Sequence, residues 1–213
     1  MNIRFHFSAT LIFLSLLCLL SCERSGSARL FDGETFNGWE GDTVTTWKIA
    51  NGAIVGGSLS ETVPHNDFLC TTKAYDNFVL RLKFKLEGNG GFINAGVQFR
   101  SRRATDPAYE MIGYQADMGN NYYGALYDES RRDVVLAGPD SIAALSIIKP
   151  GDWNDYEIRA ENKRIQIFLN GQQTVDYTEP GQDIPQSGII GLQIHGGGKA
   201  LVSYKDITIK EIR

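Results

Sequence analysis

The chain has 213 residues, of which 42% are hydrophobic and 22% are charged, the balance of a globular protein and not of a disordered one. Its formal net charge of -4 supplies no basic field for a phosphate backbone, which argues against nucleic-acid binding. The 23 glycines against 6 prolines, with 11% aromatic residues, favour many short strands joined by tight turns.

The N-terminal segment has the layout of a secretory signal. Arg4 is the only charged residue of the first 21, and the apolar run 10–20 that follows is too short to span a bilayer comfortably. The run ends in Leu-Leu-Ser-Cys at 19–22, which resembles a bacterial lipobox. This predicts a signal peptide over 1–21 and a lipidated Cys22 as the mature N-terminus, anchoring an exported protein in the cell envelope and facing periplasm or exterior. The alternative is an ordinary signal with an incidental cysteine.

The rest of the chain is predicted to form one domain. Residues 22–29 are a short polar tether, and residues 30–213 contain no further linker or low-complexity segment. Apart from Cys22, the mature chain has one cysteine, Cys70, so no internal disulfide is expected despite export. Stability must therefore come from a packed core, which a domain of this size can supply.

Period-two alternation, broken every eight to twelve residues by turn chemistry, runs through this domain. Strands 47–49 and 53–55 flank Asn51-Gly52, a dipeptide typical of tight hairpins. The segment 78–86 places apolar residues on one face and basic residues on the other. Further strands are predicted at 92–100, 111–117, 156–160, 165–169, 189–195 and 200–212. Helical periodicity is confined to a turn or two around 140–145, so the expected fold is all-β, a two-sheet antiparallel sandwich or jelly roll.

Three of the predicted strands carry hydrogen-bonding groups opposite their apolar face. If they share one sheet, they form a single polar surface, and its members are Asn94, Gln98, Arg100, Gln115, Asp117, Gln193 and His195. Such an amide-rich face suits a polyol ligand, whose hydroxyls need paired donors and acceptors. The alternative is the solvated side of an ordinary antiparallel sheet. A bulge at Gly113 would change whether Glu110 shares this face.

The segment 119–132 is predicted to be a loop that concentrates aromatic and charged residues. Loops on a rigid scaffold commonly hold binding residues, and Tyr122, Tyr123 and Tyr127 are candidate walls for a sugar ring. The alternative is a structured loop with Arg131 or Arg132 in an ion pair.

His195 is the candidate general base, because imidazole titrates near neutral pH and the following Gly196–Gly198 permits close approach of a ligand. The alternative is that His195 caps a sheet edge, and His65 is interpreted as a structural turn residue. The sequence has no local metal-binding motif, so a metal site, if present, would be assembled from separate strands by His195 and Asp117. A retaining glycosidase is weakly supported, because Glu40-Gly41-Asp42 lacks a second glutamate at the required spacing.

A set of short motifs recurs in order along the chain. They lie at 30–33, 38–39, 47–52, 94–97 before Arg100, 124–127, 151–154, 169–171, 191–196 and 205–212. Together they resemble the 3-keto-disaccharide hydrolase domain family, formerly domain of unknown function 1080. The middle departs from that pattern: Gln115 and Asp117 match, whereas Glu110 does not align cleanly.

The resemblance implies a concanavalin A-like jelly roll that cleaves 3-keto-glycosides. A C3 ketone acidifies the C2 proton, so a base can form an enolate that expels the C1 substituent, after which water adds back. The hypothesis assigns His195 or Asp117 as base, Arg100 and Gln115 to the keto and hydroxyl oxygens, and Tyr127 or Glu129 as acid or positioning group.

A divalent cation of unknown identity could replace part of this set. The remaining residues assigned to substrate binding are Asn94, Gln98, Gln193, Tyr122, Tyr123, Arg131 and Glu110. Two alternatives stay open, a carbohydrate-binding module without chemistry and an envelope scaffold.

Overall fold

A computed structural model describes residue 1 and residues 26–119 and 121–212. The predicted signal, the lipidation site Cys22 and the first part of the tether lie outside the described residues. Within them, no helix is both long enough and apolar enough to cross a bilayer. Cys70 is a buried free thiol, and burial raises its pKa to about 12.

The described residues form two antiparallel sheets, as predicted, with one short helix. The first sheet contains β1 (Ala28–Arg29), β3 (Trp47–Ala50), β4 (Ala53–Gly57), β6 (Phe78–Gly91), β11 (Asn154–Glu161), β12 (Arg164–Leu169), β13 (Gln172–Thr178) and β15 (Gly198–Glu211). The second contains β2 (Trp39–Glu40), β5 (Asp67–Tyr75), β7 (Asn94–Arg103), β8 (Met111–Gly119), β9 (Leu126–Glu129), β10 (Val134–Ala137) and β14 (Gly188–Ile194). The helix α1 (Ser141–Ile147) is capped by Asp140, close to the predicted helical turn.

The strand orders are those of a jelly roll, with neighbours in the sheets often distant in sequence. The first sheet runs β13-β12-β11-β6-β15-β4-β3, with β1 added beside β15, and the second runs β10-β9-β8-β7-β14-β5-β2. The predicted hairpin at Asn51-Gly52 is confirmed, with φ of 52° and 72° at its two central residues. On β6 the apolar face predicted from the alternation is buried in the core.

Two predicted boundaries need correction. Ala28 and Arg29, assigned to the tether, form β1, because they pair with Ile209 and Thr208 of β15. The segment 119–132 is not a continuous loop, since its residues 126–129 form β9 and pair with β8.

Two buried tyrosines of the first sheet brace the strands of the second across the core. The hydroxyl of Tyr204 donates to the carbonyls of Gly96 at 2.9 Å and Gln193 at 2.8 Å. The hydroxyl of Tyr156 donates to the carbonyl of Asp117 at 2.9 Å. Because buried carbonyls rarely stay unpaired, these bonds fix the backbone directly behind the polar side chains on the outer face of the second sheet.

Candidate functional site

A cavity of about 150 Å³ opens on the outer face of the second sheet. It is lined by Phe92, Asn94, Gln115, Asp117, Tyr122, Tyr127, Glu129 and His195. These side chains converge because β14, β7, β8 and β9 lie side by side, with Gln98 opposite Gln115 and Gln115 opposite Tyr127. All but Phe92 belong to the site predicted from the sequence.

The far ends of β7 and β8, together with the loop between them, cover the neighbouring part of this face. We call residues 103–112 the arch. Arg103 donates through Nη2 to the carbonyl of Glu40 at 3.1 Å, and Met111 packs on Phe68 and Cys70. The ring of Tyr109 stacks on exposed His65 with centroids 4.4 Å apart. None of the arch residues lines the cavity, so the arch covers a separate part of the same face.

Asp117 is the most deeply buried carboxylate of the cavity. Its Oδ1 accepts from Asn94 Nδ2 at 2.9 Å and from the backbone N–H of Met118 at 3.1 Å. Burial nevertheless raises the pKa of Asp117 to about 7, because desolvation of the charged form outweighs the hydrogen bonds from Asn94, Met118 and Gln115. A carboxyl in this state exchanges a proton readily near neutral pH.

Glu129 is the second carboxyl of the cavity and is half-buried. Burial, together with the negative charges of Glu110 and Asp117, raises its pKa to about 8. At neutral pH Glu129 therefore carries a proton. Two carboxyls whose pKa values lie this far above their usual range, in one cavity, are typical of acid–base sites.

The hydrogen bond of His195 decides which ring nitrogen is free. Its Nδ1 lies 2.6 Å from the carbonyl oxygen of Gly196. A carbonyl only accepts, so the neutral ring carries its proton on Nδ1 and leaves the lone pair on Nε2 for a ligand. The edge contact with Phe92, at a centroid distance of 4.6 Å, orients the ring further.

Gln98 supports Gln115 from outside the cavity. Its Nε2 donates to Gln115 Oε1 at 3.1 Å, while its own Oε1 accepts from Ser101 Oγ at 2.7 Å. The Gln115 side chain lies over Gly96, where an added Cβ would come within 2.6 Å of it. Gly96 is therefore needed at that position, and Gln98 positions Gln115, in place of the direct substrate contact assigned from the sequence.

Arg100 does not lie at the cavity, which corrects its assignment to the keto oxygen. The ladder between β7 and β8 is interrupted so that Arg100 and Ser101 together oppose Gly113, and Arg100 has φ of 48°. Ser101 takes the outward place on the polar face. The Arg100 guanidinium is buried and donates to four acceptors in surrounding turns, namely Asp76 O, Asn77 Oδ1, Asn162 O and Gln186 Oε1. The anticipated bulge therefore lies opposite Gly113 and not at it.

Two further assignments are corrected by the packing around β9. Tyr123 is partly buried and packs against the hydrophobic core, and it does not line the cavity. Arg131 pairs with buried Asp128, and its guanidinium lies 4.5 Å from the ring centroid of Tyr114. The alternative of an ion pair in this segment is thus the one observed, and Arg132 bridges Asp128 and Glu179 in the same way. Gln193 and Glu110 do not line the cavity, but lie beside it on the same face.

Phe92 is the cavity residue that the sequence interpretation missed. It is 42% exposed although apolar, and its N–H donates to the carbonyl of Gly197 at 3.1 Å, which holds it beside His195. A signal was available, because Phe92 has the same parity as Asn94 and Gln98 in the alternation. Its ring joins those of Tyr122 and Tyr127 in the lining of the cavity.

His195 and Asp117, the residues predicted to bind a metal if one is present, line the same cavity. Across residues 26–119 and 121–212, however, no three His, Cys, Asp or Glu side chains are grouped to hold a metal ion.

Solved structures with the same two-sheet architecture define the fold class. A candidate glycosyl hydrolase from Parabacteroides distasonis superposes with a TM-score of 0.65 at 20% identity, covering 88% of this chain and 94% of that one. The carbohydrate-binding module CBM66 from Bacillus subtilis gives 0.62 at 16% identity, covering 82% and 96%. A β-glucanase from Bacillus licheniformis gives 0.55 at 11% identity, covering 88% and 99%. At these identities the likeness establishes the jelly-roll fold alone.

The sequence matches go further. Residues 26–210 match the 3-keto-alpha-glucoside-1,2-lyase-like domain, and the chain belongs to that family. A relative from Bacteroides thetaiotaomicron, a 3-keto-disaccharide hydrolase, is 25% identical over 241 aligned positions, covering 90% of this chain and 80% of the relative. The family resemblance drawn from the motifs is thereby confirmed.

Proposed function

We propose that this protein is an enzyme that cleaves 3-keto-glycosides by elimination followed by hydration. The observation that carries the proposal is the pair of carboxyls in one cavity, Asp117 with a pKa of about 7 and Glu129 with a pKa of about 8. Membership of the lyase-like family and the name of the relative support the same substrate class.

Asp117 takes the C2 proton, which the C3 ketone has made acidic, and the C1–O bond breaks as the electron pair of the enolate forms the C1=C2 double bond. Glu129 gives its proton to the departing oxygen. The Gln115 amide donates to the enolate oxygen as charge develops there, a role that the sequence interpretation had divided between Gln115 and Arg100. His195 accepts through Nε2 from a sugar hydroxyl and orients the ring.

A second candidate function is carbohydrate binding without chemistry. The cavity wall carries three aromatic rings, from Phe92, Tyr122 and Tyr127, which present apolar faces suited to a sugar ring. The shared fold with a carbohydrate-binding module makes this alternative concrete. Under it, the two carboxyls accept hydrogen bonds from hydroxyls and never transfer a proton.

Incubation with a 3-keto-glucoside separates the two functions. The chain without residues 1–21, supplied with p-nitrophenyl 3-keto-glucoside, is expected to release p-nitrophenol, whereas the unoxidised glucoside stays intact because its C2 proton is not acidic. The assay is run with and without chelator and followed by absorbance. Binding of the keto-sugar without release under either condition would establish the binding-module function instead.

We infer that the full-length chain is lipid-anchored in the bacterial envelope through Cys22. The support is the single-charge leader, the apolar run 10–20 and the lipobox-like 19–22. In a bacterial host, Cys22→Ala is expected to move the protein from the membrane fraction to the soluble fraction and to abolish labelling with radioactive palmitate. Cys18→Ala, in the segment removed on processing, is the matched control and should change neither. Equal membrane retention of both variants would contradict the anchor.

A further inference from the structure

A group of buried polar atoms lies beside the cavity under the arch. Gln193 is fully buried, and neither its Nε2 nor its Oε1 has a hydrogen-bond partner within the part of the chain that the structure describes. The same holds for Oε2 of Glu110 and Oδ1 of Asn94, although the second polar atom of each side chain is bonded, to Asn66 and Asp117 respectively. Unpaired buried polar atoms are rare in folded proteins, so several in one place call for an explanation.

The register of the second sheet brings these side chains together. Gln193 stands opposite Gly96 of β7 and opposite Phe68 of β5. Gln193 therefore has a diagonal neighbour on each side, Asn94 on the β7 side and Asn66 on the β5 side. Diagonal neighbours across two strands lie roughly 7–8 Å apart. Glu110 joins the group through Asn66, whose Nδ2 donates to Glu110 Oε1 at 2.9 Å. We call Gln193, Asn94, Asn66 and Glu110 the inner compartment.

Asn94 is the wall that the inner compartment shares with the cavity. Its Nδ2 holds the Asp117 carboxylate at 2.9 Å, which leaves its Oδ1 to the compartment. Asn66 is held on the opposite side, because its Oδ1 accepts from the backbone N–H of Gly196 at 3.0 Å. The compartment is thus fixed in place by backbone and side-chain bonds and adjoins the residue that takes the C2 proton.

The free atoms of the compartment are one amide donor and three acceptors. One water molecule satisfies most of this set, because it accepts a hydrogen bond from Gln193 Nε2 and donates to two of the three acceptors. We propose that the inner compartment holds the water that adds to C1 in the second half of the reaction. This inference rests on the proposed function and deepens it, because it assigns the placement of the reacting water to Gln193 and Glu110, which have no assigned part in the elimination step.

The proposed step balances. After elimination, the sugar carries a C1=C2 double bond conjugated to the C3 ketone, Asp117 holds the C2 proton, and Glu129 has lost its proton to the leaving group. The water oxygen bonds to C1, and Asp117 returns its proton to C2. The proton that the water loses passes to Glu129, so both carboxyls regain their starting states and the net reaction consumes one water.

The test measures the two half-reactions separately in the same assay. Gln193→Met keeps the volume of the side chain and removes both polar atoms. Release of p-nitrophenol from the 3-keto-glucoside reports elimination, and the absorbance of the conjugated enone, with quantification of 3-keto-glucose by chromatography, reports hydration. Gln166→Met is the matched control, because Gln166 lies on β12 in the other sheet.

In Gln193→Met we expect aglycone release within about threefold of wild type. Hydration should be slowed by about tenfold, because the reacting water loses one hydrogen bond. The enone should therefore accumulate. A merely structural role would slow both steps together and lower the melting temperature. An unchanged ratio of enone to 3-keto-glucose would overturn the inference while leaving the proposed function in place.

Should Gln193→Met fail to fold, Glu110→Gln answers the same question. It keeps an acceptor for the Asn66 amide and turns Oε2 into a donor, so it too is expected to raise the enone fraction. Equal product ratios in Glu110→Gln and wild type would then refute the compartment. If the wild-type protein releases no aglycone, the proposed function fails first and the hydration assignment fails with it.

Discussion

Replacement of Asp117 by asparagine is expected to lower kcat on a 3-keto-glucoside by on the order of 10³-fold, because the amide cannot take the C2 proton. The side chain keeps its shape and can still accept from Asn94 and Met118, so the variant should fold. Asp155→Asn, on an exposed carboxylate of the first sheet, is the matched control and should retain wild-type kcat. Initial rates of p-nitrophenol release across the pH range measure the effect.

The pH profile tests the division of roles between the two carboxyls. With an alkyl 3-keto-glucoside, whose alcohol leaving group needs the acid, wild-type activity should rise as Asp117 loses its proton near pH 7 and fall as Glu129 loses its proton near pH 8, which gives a narrow optimum between those values. Glu129→Gln should remove the alkaline limb. Its rate loss should be small with p-nitrophenol as leaving group and larger, on the order of 10²-fold, with an alcohol, because a poor leaving group needs the acid.

The opposite pattern would reassign these residues. If Glu129→Gln lost the same factor with both leaving groups and kept both limbs, Glu129 would not be the acid. If Asp117→Asn kept the acidic limb and substantial activity, the base would be His195, whose free Nε2 is the other proton acceptor of the cavity.

A second large effect is expected on stability: the inactive variant Asp117→Asn should become more stable relative to wild type as the pH rises. The pKa of Asp117 is raised from 3.8 to about 7 in the folded state, so the folded protein is favoured while the carboxyl stays protonated. That contribution is complete below about pH 4 and is lost as the pH rises to 7 and above. Asp117→Asn removes the titration, so its free energy of unfolding should gain on that of wild type by about 3 kcal/mol between pH 4.5 and pH 8.

Urea unfolding of both proteins at pH 4.5 and pH 8 measures how the difference between their free energies of unfolding changes with pH. Titrating groups remote from Asp117 shift both proteins alike and cancel, whereas the pKa of Glu129 is lowered in the variant, because the charge of Asp117 no longer raises it. Parallel pH dependence of the two unfolding free energies would contradict the buried, protonated carboxyl. If wild type is less stable than Asp117→Asn at neutral pH, the Asp117 carboxyl lowers stability and is present for proton transfer.

Much of the site could be predicted because period-two alternation is a local property. A strand shows its two faces in its own residues, so Asn94, Gln115 and Asp117 were placed on one polar surface before their strands were known to be neighbours. The hairpin at Asn51-Gly52 followed in the same way from two residues that tolerate positive φ. The two-sheet fold followed from the regular spacing of such segments, whereas the family followed from the resemblance of short motifs, in their order along the chain, to those of its members.

Arg100 and Tyr123 show where local pattern fails. Alternation assumes an unbroken ladder of hydrogen bonds between β7 and β8. At the two-residue bulge opposite Gly113, Ser101 takes the outward position, and Arg100 points into the surrounding turns. Tyr123 sits in a turn, where no periodicity defines a face, and packing of the core decided its direction. Glu110 lies on the polar face because the arch, to which it belongs, folds back over the second sheet.

By itself, then, the sequence of this acidic, glycine-rich chain determined an all-β domain with one polar sheet face, because strand propensity, turn chemistry and side-chain parity are set by neighbours along the chain. Only the tertiary structure decided which polar residues share a cavity, which are locked into turns, and which pKa values are raised. Those properties depend on burial and on contacts between residues far apart in sequence, which no local pattern records.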